Sequence, residues 1–367
     1  MKTDFDVLYA NNSQKAIAFL DEMRGKKPLF ILTIATTETG KITGISAAGK
    51  HPEFTDFTPP ADAELLLLGK CKCISGVPVT PDGIPTPALI TMSALHLADI
   101  PVLVASGGSR VLPQIPFLDF GGSPGRDIRT GNAVDNVAEV IARAKVAGEQ
   151  LAKVVDYLVI GESIPGGTTT ALGVLSAMGI PAEGKVSSSM PLNPHDLKRE
   201  AVKAGLAACG ESFGSLAGDA VRAIGYVGDP MMAVFAGLVV GAGGEVPVLL
   251  AGGTQMTAVL AVLKDLAPDV LCNVAVGTTR WVVEDGSSDI CGIVREIAEA
   301  VPVLAADLDF GGSRFSGLQA YEKGIVKEGV GAGGAAVAAM AETEGAVTKE
   351  LLLAEIEHNY ALLMGLK

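Results

Sequence analysis

The stretch YLVIGESIPGGTTTALGVL, residues 157–175, decides the fold class. It begins with an uninterrupted apolar run, passes through a turn that contains Gly166 and Gly167, and continues with helical spacing. A continuous apolar run without alternation is typical of a strand that is covered on both faces. A buried strand that leads through a glycine turn into a helix is the repeating unit of a parallel α/β sheet.

The same order of strand, turn and helix recurs along most of the chain. Strands are predicted at residues 29–35, 64–69, 101–105, 157–160, 246–251, 270–276 and 301–305. Helices are predicted at residues 86–97, 132–154, 168–178, 193–207 and 229–240. This alternation predicts an α/β fold with a doubly wound, mostly parallel, Rossmann-like sheet.

The two ends of the chain depart from this alternation. A helix is predicted at residues 13–24 with no strand before it, and two more helices are predicted at residues 333–342 and 348–366. We expect residues 1–25 and 331–367 to form a small helical subdomain beside an α/β catalytic domain at residues 26–330.

Charge and composition exclude several classes of protein. The 28 basic and 41 acidic residues give a net charge of −13, which disfavours binding to nucleic acid or to an anionic membrane surface. The number of cysteines, five, is small and odd, which disfavours a disulfide framework. The first residues lack the apolar core of a signal peptide. We therefore expect a cytoplasmic protein. The apolar stretch 230–263 is split by Glu245 and Pro247, which favours helix, strand and helix of a core over a membrane span.

The turn after residue 160 has the composition of a phosphate cradle. Free amides at a helix start, small residues and hydroxyl donors favour an oxyanion, and they are supplied by Gly166, Gly167, Thr168, Thr169 and Thr170. The turn is not a Walker loop, because no Gly-Lys-Ser/Thr follows. Glu162 would repel a phosphate, so we expect it to face another part of the ligand. A merely structural turn is the alternative.

Two more glycine turns share this signature. In the first, Glu328 stands before Gly329 and Gly331 and an apolar helix, so Glu162 and Glu328 are candidates for a general base and an orienting carboxylate at one site. The alternative for Glu328 is a solvated acid beside Lys327. The other turn, and the end of the next strand, supply further candidates at the carboxyl ends of parallel strands: Gly252, Gly253, Thr254, Thr278, Thr279 and Arg280.

Other motifs give weaker evidence about function. The pentapeptide Asp-Phe-Gly-Gly-Ser occurs at residues 119–123 and 309–313, either as two ligand-facing turns or as a coincidence in a chain with 45 glycines. The four histidines are scattered without ligand spacing, so neither a metal nor a cofactor is expected. No GxSxG elbow and no dinucleotide fingerprint at the first strand is present in the sequence.

The two acid–glycine loops, with GYVGDPMMA at residues 225–233 and VPVLLAGG at 246–253 between them, resemble a known family. They are similar to the nicotinate-nucleotide:dimethylbenzimidazole phosphoribosyltransferases of cobamide assembly, and specifically to their divergent archaeal and cyanobacterial branch. The resemblance runs from about residue 155 to 345; before residue 150 it rests on element order alone. It departs from the family at residues 164–167, 251–253 and 276–280, which border the expected base pocket.

The resemblance implies a function and roles for the candidate residues. Glu328 would be the catalytic base, and Glu162 the acid beside the ribosyl group and the base. Residues 166–169 would hold the 5′-phosphate, joined by a cation from Lys198 or Arg199. The implied enzyme is a glycosyltransferase that moves the ribosyl phosphate of nicotinate mononucleotide to a dimethylbenzimidazole-like aromatic base, which gives an α-ribotide for cobamide (vitamin B12) synthesis. Because the family is dimeric and the apolar terminal helices need cover, a homodimer is expected.

Two alternatives stay open at this point. One is a catalytically silent, nucleotide-binding regulatory or scaffold protein of the same fold, which the altered base pocket favours and the presence of both Glu162 and Glu328 disfavours. The other is a phosphoryl-transfer enzyme, which the absence of a P-loop lysine weakens.

Overall fold

A computed structural model describes residues 5–48, 52–80 and 83–365. The strands are β1 (Val7–Asn11), β2 (Pro28–Ala35), β3 (Val102–Gly108), β4 (Leu118–Asp119), β5 (Tyr157–Ser163), β6 (Val248–Ala251), β7 (Val274–Thr279) and β8 (Val303–Ala306). They form one sheet in the order β1-β8-β7-β6-β5-β2-β3-β4. Every neighbouring pair is parallel except β1 and β8. The predicted α/β fold with a mostly parallel sheet is therefore confirmed.

Helices lie on both faces of the sheet. They are α1 (Ser13–Met23), α2 (Thr58–Leu68), α3 (Ala88–Leu97), α4 (Val137–Leu151), α5 (Gly167–Ala177), α6 (His195–Ala208), α7 (Ala220–Val227), α8 (Pro230–Ala242), α9 (Gln255–Leu266), α10 (Arg280–Val283), α11 (Ile290–Ala298), α12 (Ser316–Gln319), α13 (Ala332–Glu342) and α14 (Lys349–Leu363). None of the described helices combines the length and the apolarity that a membrane span requires.

The core has two apolar layers, one on each face of the sheet. All side chains of β2 and β5 are buried, and successive residues serve opposite layers: Ile31 packs in one, Phe30 and Leu32 in the other. This is why the strands are continuous apolar runs rather than alternating ones.

The sheet has a switch point between β2 and β5. From β2 the chain moves outward through β3 to β4, whereas from β5 it moves the other way through β6 and β7 to β8. At such a point the connections leave neighbouring strands in opposite directions and open a crevice at their carboxyl ends. A ligand site is therefore expected beyond Ala35 and Ser163.

One predicted strand is wrong. Residues 64–68 belong to α2 and Gly69 follows its end; the helix begins at Thr58 with Pro59 and Pro60 in its first turn. A short run of leucines is compatible with a buried strand and with a buried helix. The prolines that precede it are typical of a helix start and indicate the helix. Strand β7 also begins later than predicted, because residues 268–273 form a 3₁₀ helix.

The amino-terminal end also differs from its prediction. A strand, β1, precedes the first helix and pairs antiparallel with β8 at the edge of the sheet. The predicted terminal helices are present, and the two ends meet: the Gly25 amide donates to the Ala341 carbonyl (3.0 Å), and the Lys349 amide donates to Asp6 (2.9 Å). Strand β1 belongs to the main sheet, and helix α13 packs on that sheet. The division into an α/β domain and a separate helical subdomain stays a prediction.

Candidate active site

A cavity opens at the switch point of the sheet. Its empty volume is about 930 Å³, which includes open solvent at its mouth. Among the described residues, six segments line it: residues 45–48 after β2, Thr58 and Asp62 of α2, residues 78–80 and 84–87 before α3, residues 162–168 at the end of β5 and beyond it, residues 187–189 before α6, and residues 326 and 328–330 before α13. Gly253 and Gln255, at the start of α9, complete the floor. Of the residues predicted from sequence, the cavity brings together Glu162, Gly166, Gly167, Thr168, Gly253, Glu328 and Gly329.

Glu162 is the penultimate residue of β5 and is only 2% exposed. Its carboxyl group accepts hydrogen bonds from the Ile164 amide (3.0 Å) and from Nε2 of Gln255 (3.3 Å). Burial, together with the nearby charges of Asp229 and Glu328, raises the pKa of Glu162 to about 8. Burial therefore favours the protonated form of Glu162.

Glu328 is half-buried and caps a helix with its own side chain. Its carboxylate accepts from the Gly329 amide (3.1 Å) and from the Gly333 amide (3.1 Å) in the first turn of α13. Burial raises the pKa of Glu328 to about 7, although these amides work against the rise. A carboxylate with a pKa near 7 is suited to general base catalysis at neutral pH.

The backbone around Glu328 is strained. Val326, Lys327 and Val330 adopt φ values of 71°, 59° and 58°, which are outliers for residues with a side chain and above all for β-branched valine. Hydrogen bonds hold this geometry: the Val330 amide donates to the Glu162 carbonyl (2.9 Å), and the hydroxyl of Thr279 donates to the Lys327 carbonyl (2.7 Å). Such strain, of about 1–3 kcal/mol per residue, is typical of functional sites.

The turn before α5 presents a helix start to the cavity. No side chain caps α5, and the Thr168 amide has no acceptor among the residues that the structure describes. The positive end of the helix and its free amide favour an anion at this position.

The reason for Gly166 differs from the one that the sequence suggested. Its φ is 88°, and a Cβ there would lie 2.7 Å from Cα of Gly40. The glycine is therefore required by a close backbone contact with the 3₁₀ turn after β2, in addition to any need to admit an oxyanion.

Several predicted residues lie outside the cavity lining. The hydroxyl of Thr170 donates to Asp229, and that of Thr254 accepts from the Ser187 amide (2.9 Å). Arg280 pairs with Glu322 and donates to the Leu308 carbonyl, away from the cavity. The other predicted residues outside the lining are buried: Thr169, Gly252, Thr278, Thr279 and Gly331. The structure does not place residues 278–280 at a base pocket in this cavity.

Sequence reasoning missed Asp62. This residue of α2 is 1% exposed, lines the cavity, and accepts hydrogen bonds from the hydroxyls of Ser163 (2.7 Å) and Thr86 (2.8 Å). Burial raises its pKa to about 7. No local signal marks it, because α2 was interpreted as a strand.

A buried cluster of charges lies behind residues 187–189, and it includes Lys198, one of the two residues from which the resemblance implied a cation for the phosphate. Lys198 is fully buried and donates to the Ser187 carbonyl and to Asn193 Oδ1 (3.2 Å). Lys327 forms a buried ion pair with Asp285 (3.0 Å). Burial and the charge of Lys327 lower the pKa of Lys198 to about 7. Two lysines against one aspartate favour negative charge nearby.

The repeated pentapeptide has a structural explanation. Oδ1 of Asp119 accepts from the Gly121 amide (2.8 Å), and Oδ1 of Asp309 accepts from the Gly311 amide (2.9 Å). Both copies therefore share the same aspartate-to-backbone hydrogen bond, one at β4 and one after β8, and neither lines the cavity. The described residues contain no group of three or more His, Cys, Asp or Glu side chains that could hold a metal ion, and the five cysteines are free thiols.

Comparison with known proteins shows the family. No family model matches the chain. The UPF0284 protein of Sulfolobus acidocaldarius is 47% identical over 352 residues, which cover 94% of this chain and 99% of that protein. The UPF0284 protein of Methanothermobacter thermautotrophicus is 45% identical over 326 residues, with coverage of 88% and 90%. The chain belongs to the UPF0284 family.

Solved structures show which fold this UPF0284 chain shares. The nicotinate-nucleotide-dimethylbenzimidazole phosphoribosyltransferase of Thermus thermophilus superposes with a TM-score of 0.57 at 18% identity, and the match covers 97% of this chain and 92% of that one. A second structure, CobT from the same organism, gives 0.57 at 17% identity. The resemblance seen in the sequence is thus confirmed, and at this identity it concerns the fold.

Proposed function

We propose that this UPF0284 protein is a phosphoribosyltransferase that moves the ribosyl phosphate of nicotinate mononucleotide to a heteroaromatic base, giving an α-ribotide for cobamide assembly. The observation that carries the proposal is that Glu162 and Glu328, which are far apart in the chain, face one cavity at the switch point. A shared fold with the Thermus thermophilus enzyme supports the same chemistry.

The proposed reaction needs one proton acceptor. A ring nitrogen of the base attacks C1′, and the bond from C1′ to nicotinate breaks with its electron pair, which neutralises the pyridinium ring. The N–H proton of the attacking base passes to the Glu328 carboxylate. The transition state has oxocarbenium character, and C1′ is inverted.

The proposed phosphate subsite is the start of α5. Gly167 and Thr168 line the cavity there, and the Thr168 amide is available. Lys198 lies buried behind the neighbouring wall, and an anion bound in the subsite would favour its protonated form. The amide of Gly329 is a weaker candidate than the sequence suggested, because it already donates to Glu328.

Incubation with nicotinate mononucleotide and a panel of benzimidazoles, phenols and adenine tests the proposal. We expect nicotinate release that depends on the presence of a base. Measured nucleotide binding without release for any base would contradict the proposal and favour a regulatory protein.

A structure with bound phosphate or sulfate tests the phosphate subsite separately. We expect the anion within hydrogen-bond distance of the Thr168 amide. An anion bound only elsewhere in the cavity would contradict this placement.

We also propose a homodimer. Apolar side chains near the end of the chain, Leu362 and Met364, are 64% and 45% exposed. Contact with a second copy would remove this apolar surface from water. Light scattering that gives a dilution-independent mass near 37.4 kDa would contradict the proposal.

A further inference from the structure

One wall of the cavity is largely apolar. It is built from residues 78–87, apart from residues 81 and 82, which lie outside the described residues. Val79 and Pro85 form an antiparallel bridge, and the Thr80 amide donates to the Ile84 carbonyl (2.9 Å). The prolines of this wall and the side chains of Val326 and Val330 surround an apolar part of the cavity. A flat aromatic ring suits such a site, because apolar walls with few polar groups bind rings and orient them.

Asp62 is the carboxyl group that borders this apolar wall. Thr86, which belongs to the wall, and Ser163, which ends β5, both donate their hydroxyl hydrogens to it. Among the described residues, no lysine, arginine or histidine forms an ion pair with Asp62. Burial of a carboxyl group without a cationic partner is costly unless its oxygens receive hydrogen bonds.

The two hydroxyls do not use the full capacity of this carboxyl group. A carboxylate has about four acceptor sites, and Ser163 and Thr86 occupy one on each oxygen. A ligand that places only methyl groups beside Asp62 would exclude water from the carboxylate and leave its remaining acceptor sites without hydrogen bonds. A ligand that donates a hydrogen bond to the Asp62 carboxylate would satisfy one of these sites. Binding sites of this kind discriminate strongly against analogues that lack the donor.

We infer that Asp62 selects the acceptor by receiving a hydrogen bond from an exocyclic amino or hydroxyl group of the heteroaromatic base. The inference rests on the proposed function and adds to it a class of substrate. Asp62 is then a specificity-determining residue, distinct from Glu328, which takes the proton of the attacking ring. A dimethyl-substituted ring becomes a poor substrate, because two methyl groups offer Asp62 nothing to accept.

A matched pair of bases tests the inference. 5-Aminobenzimidazole and 5-methylbenzimidazole are similar in size and differ in the donor group, so both are offered together with nicotinate mononucleotide and the ratio of their kcat/KM values is measured. We expect the amino compound to be preferred by about 10- to 100-fold. A ratio within about twofold overturns the inference.

Two variants test whether Asp62 causes the preference for the amino compound. Asp62→Asn should bring the ratio to within about threefold of unity, because the amide is a weaker acceptor and presents N–H groups of its own. Asp56→Asn is the control: Asp56 is also a buried aspartate, but it pairs with Lys41 (2.8 Å) outside the cavity lining, and its change should leave the ratio unaltered. An unchanged ratio in Asp62→Asn overturns the assignment. If that variant does not fold, the wild-type ratio decides.

Failure of the proposed function is distinguishable from failure of this inference. If no base turns over, the dissociation constants of the same two bases are measured by calorimetry with the wild-type protein and nicotinate mononucleotide. Tighter binding of the amino compound, by at least tenfold, supports the role of Asp62 even then. Equal binding, or binding of neither base, overturns it.

Discussion

The two acid–glycine loops are alike in sequence and different in structure. In the loop from Glu162 to Thr168, the only residue with positive φ is Gly166. Between residues 326 and 331, five of six residues have positive φ, and three of these are not glycine: Val326, Lys327 and Val330. The first loop is an unstrained turn that glycine makes possible. The second is a strained segment that the surrounding hydrogen bonds hold in place.

The first turns of the helices that follow the two loops also differ. The start of α5 leaves the Thr168 amide available to the cavity. The start of α13 is occupied by the carboxylate of Glu328 itself. The same motif of acid, glycines and helix can therefore build an anion site in one place and fix a carboxylate in another. In the proposed reaction, these are the phosphate subsite and the base.

The largest expected effect concerns the strained loop. Glu328→Gln keeps the size of the side chain and one acceptor oxygen but removes its basicity. We expect turnover to fall by roughly 10²- to 10⁴-fold, with little change in nucleotide affinity, because the other loop holds the phosphate. Steady-state kinetics and nucleotide titration measure the two quantities, with the exposed Glu245→Gln as a control. Turnover within about threefold of wild type would show that Glu328 is not the base.

The next effect is a pH dependence of stability that compares the acids of the two loops. The folded-state pKa values of Glu162 and Glu328, about 8 and 7, lie above their ordinary value, so the folded protein binds their protons more tightly than the unfolded chain. The free energy of unfolding should therefore fall as pH rises from about 4.5 to 7, by roughly 1.4 kcal/mol per pH unit for each such group. Asp62 adds to the same trend.

Urea unfolding at pH 5, 6 and 7 measures this slope. Above about pH 7, the lowered pKa of Lys198 contributes with the opposite sign, so the acidic range is the informative one. Glu162→Gln and Glu328→Gln should each make the slope shallower. A flat profile in the wild type, or a wild-type slope in either variant, would contradict the view that both loops hold protonated carboxyl groups at low pH.

A smaller effect tests the rigidity of the first loop. Gly166→Ala introduces a Cβ 2.7 Å from Cα of Gly40 at a φ of 88°. We expect a loss of about 2 to 4 kcal/mol in the free energy of unfolding, because a conformational cost and a backbone clash add. The control is Gly184→Ala, where φ is 74° and nothing lies within 4 Å of the new Cβ. Equal losses in the two variants would show that the contact with Gly40 is not limiting.

The smallest expected effect is that of Glu162→Gln on turnover. Glu162 is held by Ile164 and Gln255 and orients the ligand in the proposed reaction, so the amide preserves most of its contacts. We expect turnover to fall by about tenfold, measured with the same substrates as for Glu328→Gln. A larger loss than in Glu328→Gln would reverse the roles that we assign to the two loops.

Local pattern in the sequence predicted most of the sheet. The buried strands β2, β5, β6 and β8 are apolar runs, and the helices that follow them begin at, or directly after, a glycine or hydroxyl residue. The edge strand β1 and helix α2 escaped prediction. Strand β1 has only five residues, which is too short a run to show a period, and an apolar run of four leucines has no periodicity that separates strand from helix.

By itself, the sequence determined the alternation of strands and helices, the position of both acid–glycine loops at strand and helix junctions, and hence Glu162 and Glu328 as candidates. These features depend on residues that are close together in the chain. The tertiary structure alone decided that Asp62 joins Ser163 in the cavity, that Lys198 lies behind its wall, and that Arg280 lies elsewhere. Those relations depend on which strands become neighbours, and strand order is fixed by packing between distant segments, which local periodicity does not record.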